Sequence, residues 1–179
     1  MTTDPQLIVN VVDLRRKLAS RQRVHVTALA GDDLVVGDAR VPRGSELDVD
    51  VVLESLSDGI TVTGQVSGPW TAICRRCLGP AAGRLSVEVR ELYQVRPTTD
   101  EAFAFDGDLL DLAPLVREAL MLDLPVAPVC RAACLGLCPM CGVDRNETVC
   151  SCDTTPTDPR WSALEGLAAQ LGQFDQPPT

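Results

Sequence analysis

Eight cysteines in four close pairs constrain this chain more than any other feature: Cys74/Cys77, Cys130/Cys134, Cys138/Cys141 and Cys150/Cys152. Two thiolates separated by two residues can turn onto one metal ion when the backbone between them forms a tight knuckle. CPMCG at 138–142 has the form this needs. Its proline fixes the turn, and a glycine after the second ligand frees the backbone for N–H···S contacts. Eight ligands in four pairs fit two tetrahedral four-thiolate sites. All-thiolate ligation selects zinc, with an iron–sulfur cluster as the rival. The spacings match neither ferredoxin pattern, so the expected cofactor is zinc, as two ions.

Four pairs combine into two sites in three ways. The local solution joins Cys138/Cys141 to Cys150/Cys152 across the eight residues GVDRNETV, a closure of low entropic cost. Cys74/Cys77 then meets Cys130/Cys134 across 52 intervening residues, stapling the sheet to the segment after the helix. The narrow Cys150-x-Cys152 pair is the weakest element of this scheme, and loop closure ranks the three pairings without choosing among them.

The rest of the chain reads as α+β: an antiparallel β-sheet or half-open barrel with few helices and a small cysteine-rich zinc-knuckle segment. Leu7 to Val12 is an apolar run that reads as a strand, and Asp13 is placed to cap a short helix through Leu18. Arg15, Arg16, Lys17, Arg21 and Arg23 make this the most basic stretch, a solvated face before it is a phosphate or acidic-protein contact. From residue 24 to 95 the period is two, broken by the turn signals GDD at 31–33, PRG at 42–44, SDG at 57–59, SGP at 67–69 and LGPAAG at 78–83. Pro97 to Asp111 is acidic and reads as an exposed loop. Leu112 to Leu122 carries apolar residues at helical spacing, with Pro114 tolerable in a first turn. Residues 126–155 hold six of the eight cysteines and few large apolar groups, so something covalent or metallic must hold them. The expected organisation is therefore a β-rich domain at 1–125 ending in one helix, a zinc-binding segment at 126–155, and a C-terminal helix at 156–175 packing back.

The start of the chain has no signal-peptide pattern, and no run approaches the ~18 apolar residues needed to cross a bilayer. The expectation is a cytoplasmic protein without a membrane partner, where thiols stay reduced. Aromatics make up only 3% of residues, which disfavours a stacking groove for single-stranded nucleic acid. A net charge of −9 opposes long-range attraction to nucleic acid and suits basic protein partners.

An enzyme is not indicated, and no small-molecule substrate is expected. The single histidine, His25, lies in a strand pattern far from any cysteine. Alternation puts Asp48 and Asp50 on the outward face of a strand, and no phosphate-binding glycine loop is present. The competing reading is a thiol–disulfide or redox-sensing protein using Cys74/Cys77, whose thiol pKa values Arg75 and Arg76 would lower. Such a motif ordinarily follows a strand and opens a helix, whereas this pair lies between strands. A nuclease using the aspartates is a third, weaker alternative.

The chain resembles the YceD family over roughly residues 45–167. The resemblance rests on CRRCL at 74–78, DLLDLAPLVREALMLDLPVAPVC at 108–130, CLGLCPMCG at 134–142 and DPRWSAL at 158–164. It implies a non-enzymatic factor that supports synthesis, processing or stability of 23S rRNA. The implied partners are a large ribosomal subunit precursor, a ribosomal protein or 23S rRNA itself. Some members keep the pairs matching Cys74/Cys77 and Cys130/Cys134 but lose the later four, which implies the partition that loop length ranks first.

Overall fold

In a computed structural model, residues 5–97, 102–153 and 160 are described. The chain divides into two units, Met1–Cys134 and Leu135–Thr179. The C-terminal helix expected at 156–175 lies outside the described residues, save Arg160.

The period-two alternation of the first unit becomes strands. They are β1 (Ile8–Asn10), β2 (Arg21–Leu29), β3 (Leu34–Val36), β4 (Ala39–Val41), β5 (Glu46–Ser55), β6 (Ile60–Ile73), β7 (Pro80–Gln94), β8 (Phe103–Ala104) and β9 (Leu109–Asp111). Two helices accompany them, α1 (Val12–Arg15) and α2 (Ala113–Asp123). β6 organises the seven-stranded sheet. Its first half pairs β5, Thr71 pairs Arg40 of β4, and its other edge pairs β7 along its whole length. The sheet stays open, with β2 beyond β5 and β3 beyond β4.

Register puts Val49, Val51, Leu53, Val62 and Val66 on one face, fully buried. α2 covers this core with Leu115, Val116 and Leu120. The opposite face is polar, and acids of β5 there take up bases of β2. Arg21 meets Glu54 at 3.1 Å, Arg23 meets Asp50 at 2.7 Å and His25 meets Asp48 at 3.1 Å. Arg15 and Arg16 likewise bond Asp108 and Asp13. Most of the basic stretch is thus occupied within the chain, through exposed pairs worth little individually.

Three local expectations need correction. Asp13 does not cap α1: it lies in the first turn, and Asn10 Oδ1 accepts the Val12 N–H instead. The acidic segment before Asp111 is not all loop. Leu110 is buried in β9, which pairs antiparallel with β1, and β8 runs parallel to β7. Apolar residues among the acids carry those pairings: Phe103 stacks on Tyr93 with ring centroids 5.1 Å apart, and the Tyr93 hydroxyl donates to the Asp111 carbonyl. Finally, two turn readings change. SGP at 67–69 is no turn, because pairing of Ser67, Gly68 and Pro69 with Ser86, Leu85 and Arg84 carries β6 straight through it. β7 begins at Pro80, so the turn anticipated at 78–83 is the cysteine knuckle itself at 74–79.

Candidate metal centres

The β6–β7 hairpin ends in Cys74-Arg-Arg-Cys77, and α2 returns the chain so that Cys130 and Cys134 face it. The four Sγ atoms lie within 4.8 Å of one another. Cys74 and Cys134 are 3.9 Å apart, and Cys77 and Cys130 are 3.7 Å apart. A tetrahedral ion bound at ~2.3 Å holds its sulfurs ~3.8 Å apart, whereas a disulfide requires ~2.05 Å. The donor set therefore fits one ion, and the described cysteines are free thiols. Thiolates spread over several irons would stand farther apart.

Backbone geometry builds this centre. The Leu78 N–H donates to the Cys74 carbonyl and the Cys74 N–H to the Gly79 carbonyl. The Arg76 N–H reaches the Cys74 sulfur at 3.4 Å. Two contacts tie the hairpin to the later pair. The Arg75 N–H donates to the Pro128 carbonyl, and the Arg76 guanidinium donates to the carbonyls of Ala132 and Cys134. Trp70, Ala72, Ala81 and Val129 sheathe the sulfurs, with Trp70 lying over Gly83 of the neighbouring strand. Sequence reasoning gave no role to Trp70. It assigned the arginines to the thiols, but the structure aims the Arg76 guanidinium at carbonyls.

The second centre lies within the other unit. Cys138, Cys141, Cys150 and Cys152 also bring their sulfurs within 4.8 Å. The narrow Cys150-x-Cys152 pair reaches the site. The knuckle repeats the first one's bonds, Gly142 N–H to the Cys138 carbonyl and Cys138 N–H to the Val143 carbonyl. Asp144 and Asn146 close the connecting loop. The Asp144 carboxylate accepts the Asn146 N–H, and Asn146 Oδ1 accepts the Leu135 N–H. Where the first knuckle has Leu78 at φ 59°, the second has Gly142 at φ 75°. No atom would crowd a side chain at 142, so Gly142→Ala should incur only the left-handed backbone cost of about 1 kcal/mol. Titration against a chromophoric chelator should show roughly fivefold weaker binding of the second metal.

Charge differs sharply within each set. Backbone N–H donors at Cys77, Cys130 and Arg76 hold Cys74 down to about 6, so the guanidinium role expected from sequence falls to the main chain. The Gly79 N–H favours the Cys77 thiolate, but burial and the Cys74 and Cys134 sulfurs leave it raised. Burial and the surrounding sulfurs push Cys130 up to about 12. In the second set, N–H groups of Cys141 and Met140 lower Cys138 to about 6. Its neighbour Cys141, then burial, push Cys152 up to about 12. Cys74 and Cys138 are thus ready thiolates, and a divalent cation must displace protons from the raised thiols, Cys77 and Cys130 in the first cluster and Cys150 and Cys152 in the second. Cys74 is fully buried, a poor setting for a thiol that must attack a substrate disulfide.

The family model described as "Large ribosomal RNA subunit accumulation protein YceD" matches residues 62–168, a span containing all eight cysteines. An uncharacterized protein of Mycobacterium tuberculosis strain H37Rv is 37% identical over 155 residues, covering 79% of this chain and 69% of the relative. The Bacillus subtilis protein YlbN is 25% identical over 126 residues, covering 68% and 71%. The chloroplastic YCED homolog 1 of Arabidopsis thaliana, called a large ribosomal RNA subunit accumulation protein, is 28% identical over 64 residues, 36% of this chain and 20% of that one. No solved structure matches.

Proposed function

Because this chain belongs to the YceD family, we propose that it is a non-enzymatic factor in large ribosomal subunit biogenesis that sustains 23S rRNA synthesis, processing or stability. One observation carries the reading: the family match spans both four-thiol centres and the helix between the sheet and the first of them. We assign one zinc ion to each centre. Cys74, Cys77, Cys130 and Cys134 hold the first, and Cys138, Cys141, Cys150 and Cys152 hold the second. When bound, each ion supplies a structural cross-link between four thiolates. The chain's own work is to present sulfurs at tetrahedral spacing and shield them from water.

The reading places the protein in the cytoplasm, acting on a precursor of the large subunit through ribosomal protein or 23S rRNA. No helix among the described residues is long and apolar enough to cross a membrane. The burial of Cys74 and the convergence of four sulfurs support a scaffold over a thiol–disulfide catalyst. Depleting the protein should lower 23S rRNA relative to small-subunit rRNA, and gradient fractionation should find it with large-subunit precursors. A protein confined to the top of the gradient, with rRNA ratios unchanged, would end this reading.

A further inference from the structure

We propose that the exposed face of α2 is a docking surface for a basic, aliphatic segment of a partner protein. A cavity of about 600 Å³ opens between α2 and the β2–β3 connection. Leu7, Leu34, Leu47 and Val116 form its apolar interior, with Leu29 and Met121 also lining it. A smaller cavity of about 190 Å³ lies on the other flank of the helix, against β7. Glu118 and Leu122 line both, so they form the ridge between them. Leu122 is 79% exposed and Leu29 54%. Single exposed leucines are ordinary, but exposed aliphatics bordering paired apolar cavities mark a recognition site.

Charge selects the occupant. Among the described residues, the larger cavity is lined by Asp32, Asp111 and Glu118 against one base, Arg117. The smaller, among the described residues, is lined by Glu88, Glu91, Glu118 and Asp123 and by no base. Among the described residues Asp32, Glu88, Glu118 and Asp123 make no ion pair. Asp123 also sits in the last turn of α2, where no basic residue offsets it. A helix C-terminus already carries partial negative charge, so an acid there is unfavourable to the helix by itself. A lysine or arginine from a partner relieves that repulsion, while aliphatic side chains beside it fill the cavities. RNA phosphates, anionic lipid and the same face of a second copy would all add repulsion. A cationic polypeptide with aliphatic side chains fits; the biogenesis reading enters only as the setting in which it is met.

The test places a benzophenone photocrosslinker at Leu122 of the full chain in cells and identifies the adduct by mass spectrometry. The expected adduct is a Lys/Arg-rich peptide containing Leu, Ile or Val. Its yield should fall at least fivefold with Asp32→Lys, Glu118→Lys and Asp123→Lys combined, and hold with Asp13→Lys. If the combined variant fails to melt and bind metal like the parent, Glu118→Lys alone is used, with at least a twofold fall expected. RNA, lipid, a second copy or an acidic peptide as adduct overturns the proposal. So does a yield indifferent to charge reversal, or no adduct above that from the same probe at exposed Leu18. Gradients from the same cells separate the two readings. A chain that sediments with large-subunit precursors but gives no basic adduct loses the docking face and keeps the biogenesis role. A basic adduct from a chain that never leaves the top of the gradient does the reverse.

Discussion

Cys134→Ser should reduce bound zinc from two ions to one per chain and loosen one end of the sheet while the main core stays folded. A serine hydroxyl does not replace a thiolate, and the three remaining sulfurs carry one raised thiol at Cys77 and another, at about 12, at Cys130. A site occupied at ~1,000 times its dissociation constant contributes about 4 kcal/mol, so its loss should raise amide exchange at 74–79 and 128–134 by roughly a thousandfold. The effect is narrower than the loss of a whole domain, because Cys74, Ala81 and Cys134 form their own small cluster. Among the described residues, Trp70 and Ala72 pack against both this cluster and the main core. Trp70 emission, read in a Trp161→Phe background, reports the change. Cys141→Ser should also remove one zinc yet leave Trp70 emission unmoved, since each set of thiols lies within one unit. Equal responses of Trp70 to both variants, or two ions retained after Cys134→Ser, would refute this hierarchy.

The second large effect concerns the sheet. Gly64→Ala should destabilise the protein by roughly 4 kcal/mol or more, seen as a fall of about 10–15 °C in melting temperature. Gly64 pairs with Val51 at φ 153°, and a Cβ there would lie 2.2 Å from the Asp50 carbonyl oxygen and 2.6 Å from Val51 Cα. Both are main-chain atoms of β5, so no side-chain rotation relieves the clash and the strands must part. Gly37 is the control. It has φ 58° in the β3–β4 turn but open space around it, so Gly37→Ala should cost only about 1 kcal/mol. Similar losses at the two positions would mean the β5–β6 contact tolerates separation. In both variants the metal content of the second centre is the internal standard.

Much of this architecture was legible in short-range signals. Period-two alternation located β2, β5 and β7, because a strand with one buried face must repeat its apolar residues every second position; the SGP at 67–69 hid the continuity of β6. CPMCG announced its knuckle through the glycine needed at φ 75°. CRRCL concealed the same turn by placing Leu78 in that backbone region. β8 and β9 were obscured because acids dominate their neighbourhood, while Phe103 and Leu110 make the contacts that define them. The α2 face was invisible, since its cavities require a helix, a turn and two sheet edges to meet.

The cysteine sequence by itself determined that four knuckle-like pairs exist and that tetrahedral thiolate chemistry is within reach. Only the tertiary structure decided which pairs converge. Loop entropy ranks the choices weakly, since doubling a loop costs only about 0.6 kcal/mol. The decision comes from packing. α2 lays Leu115, Val116 and Leu120 on the sheet, and the chain leaving it brings Cys130 and Cys134 to the hairpin holding Cys74 and Cys77. A ligand pair is local chemistry, but a site built from distant pairs depends on the summed burial of the core between them.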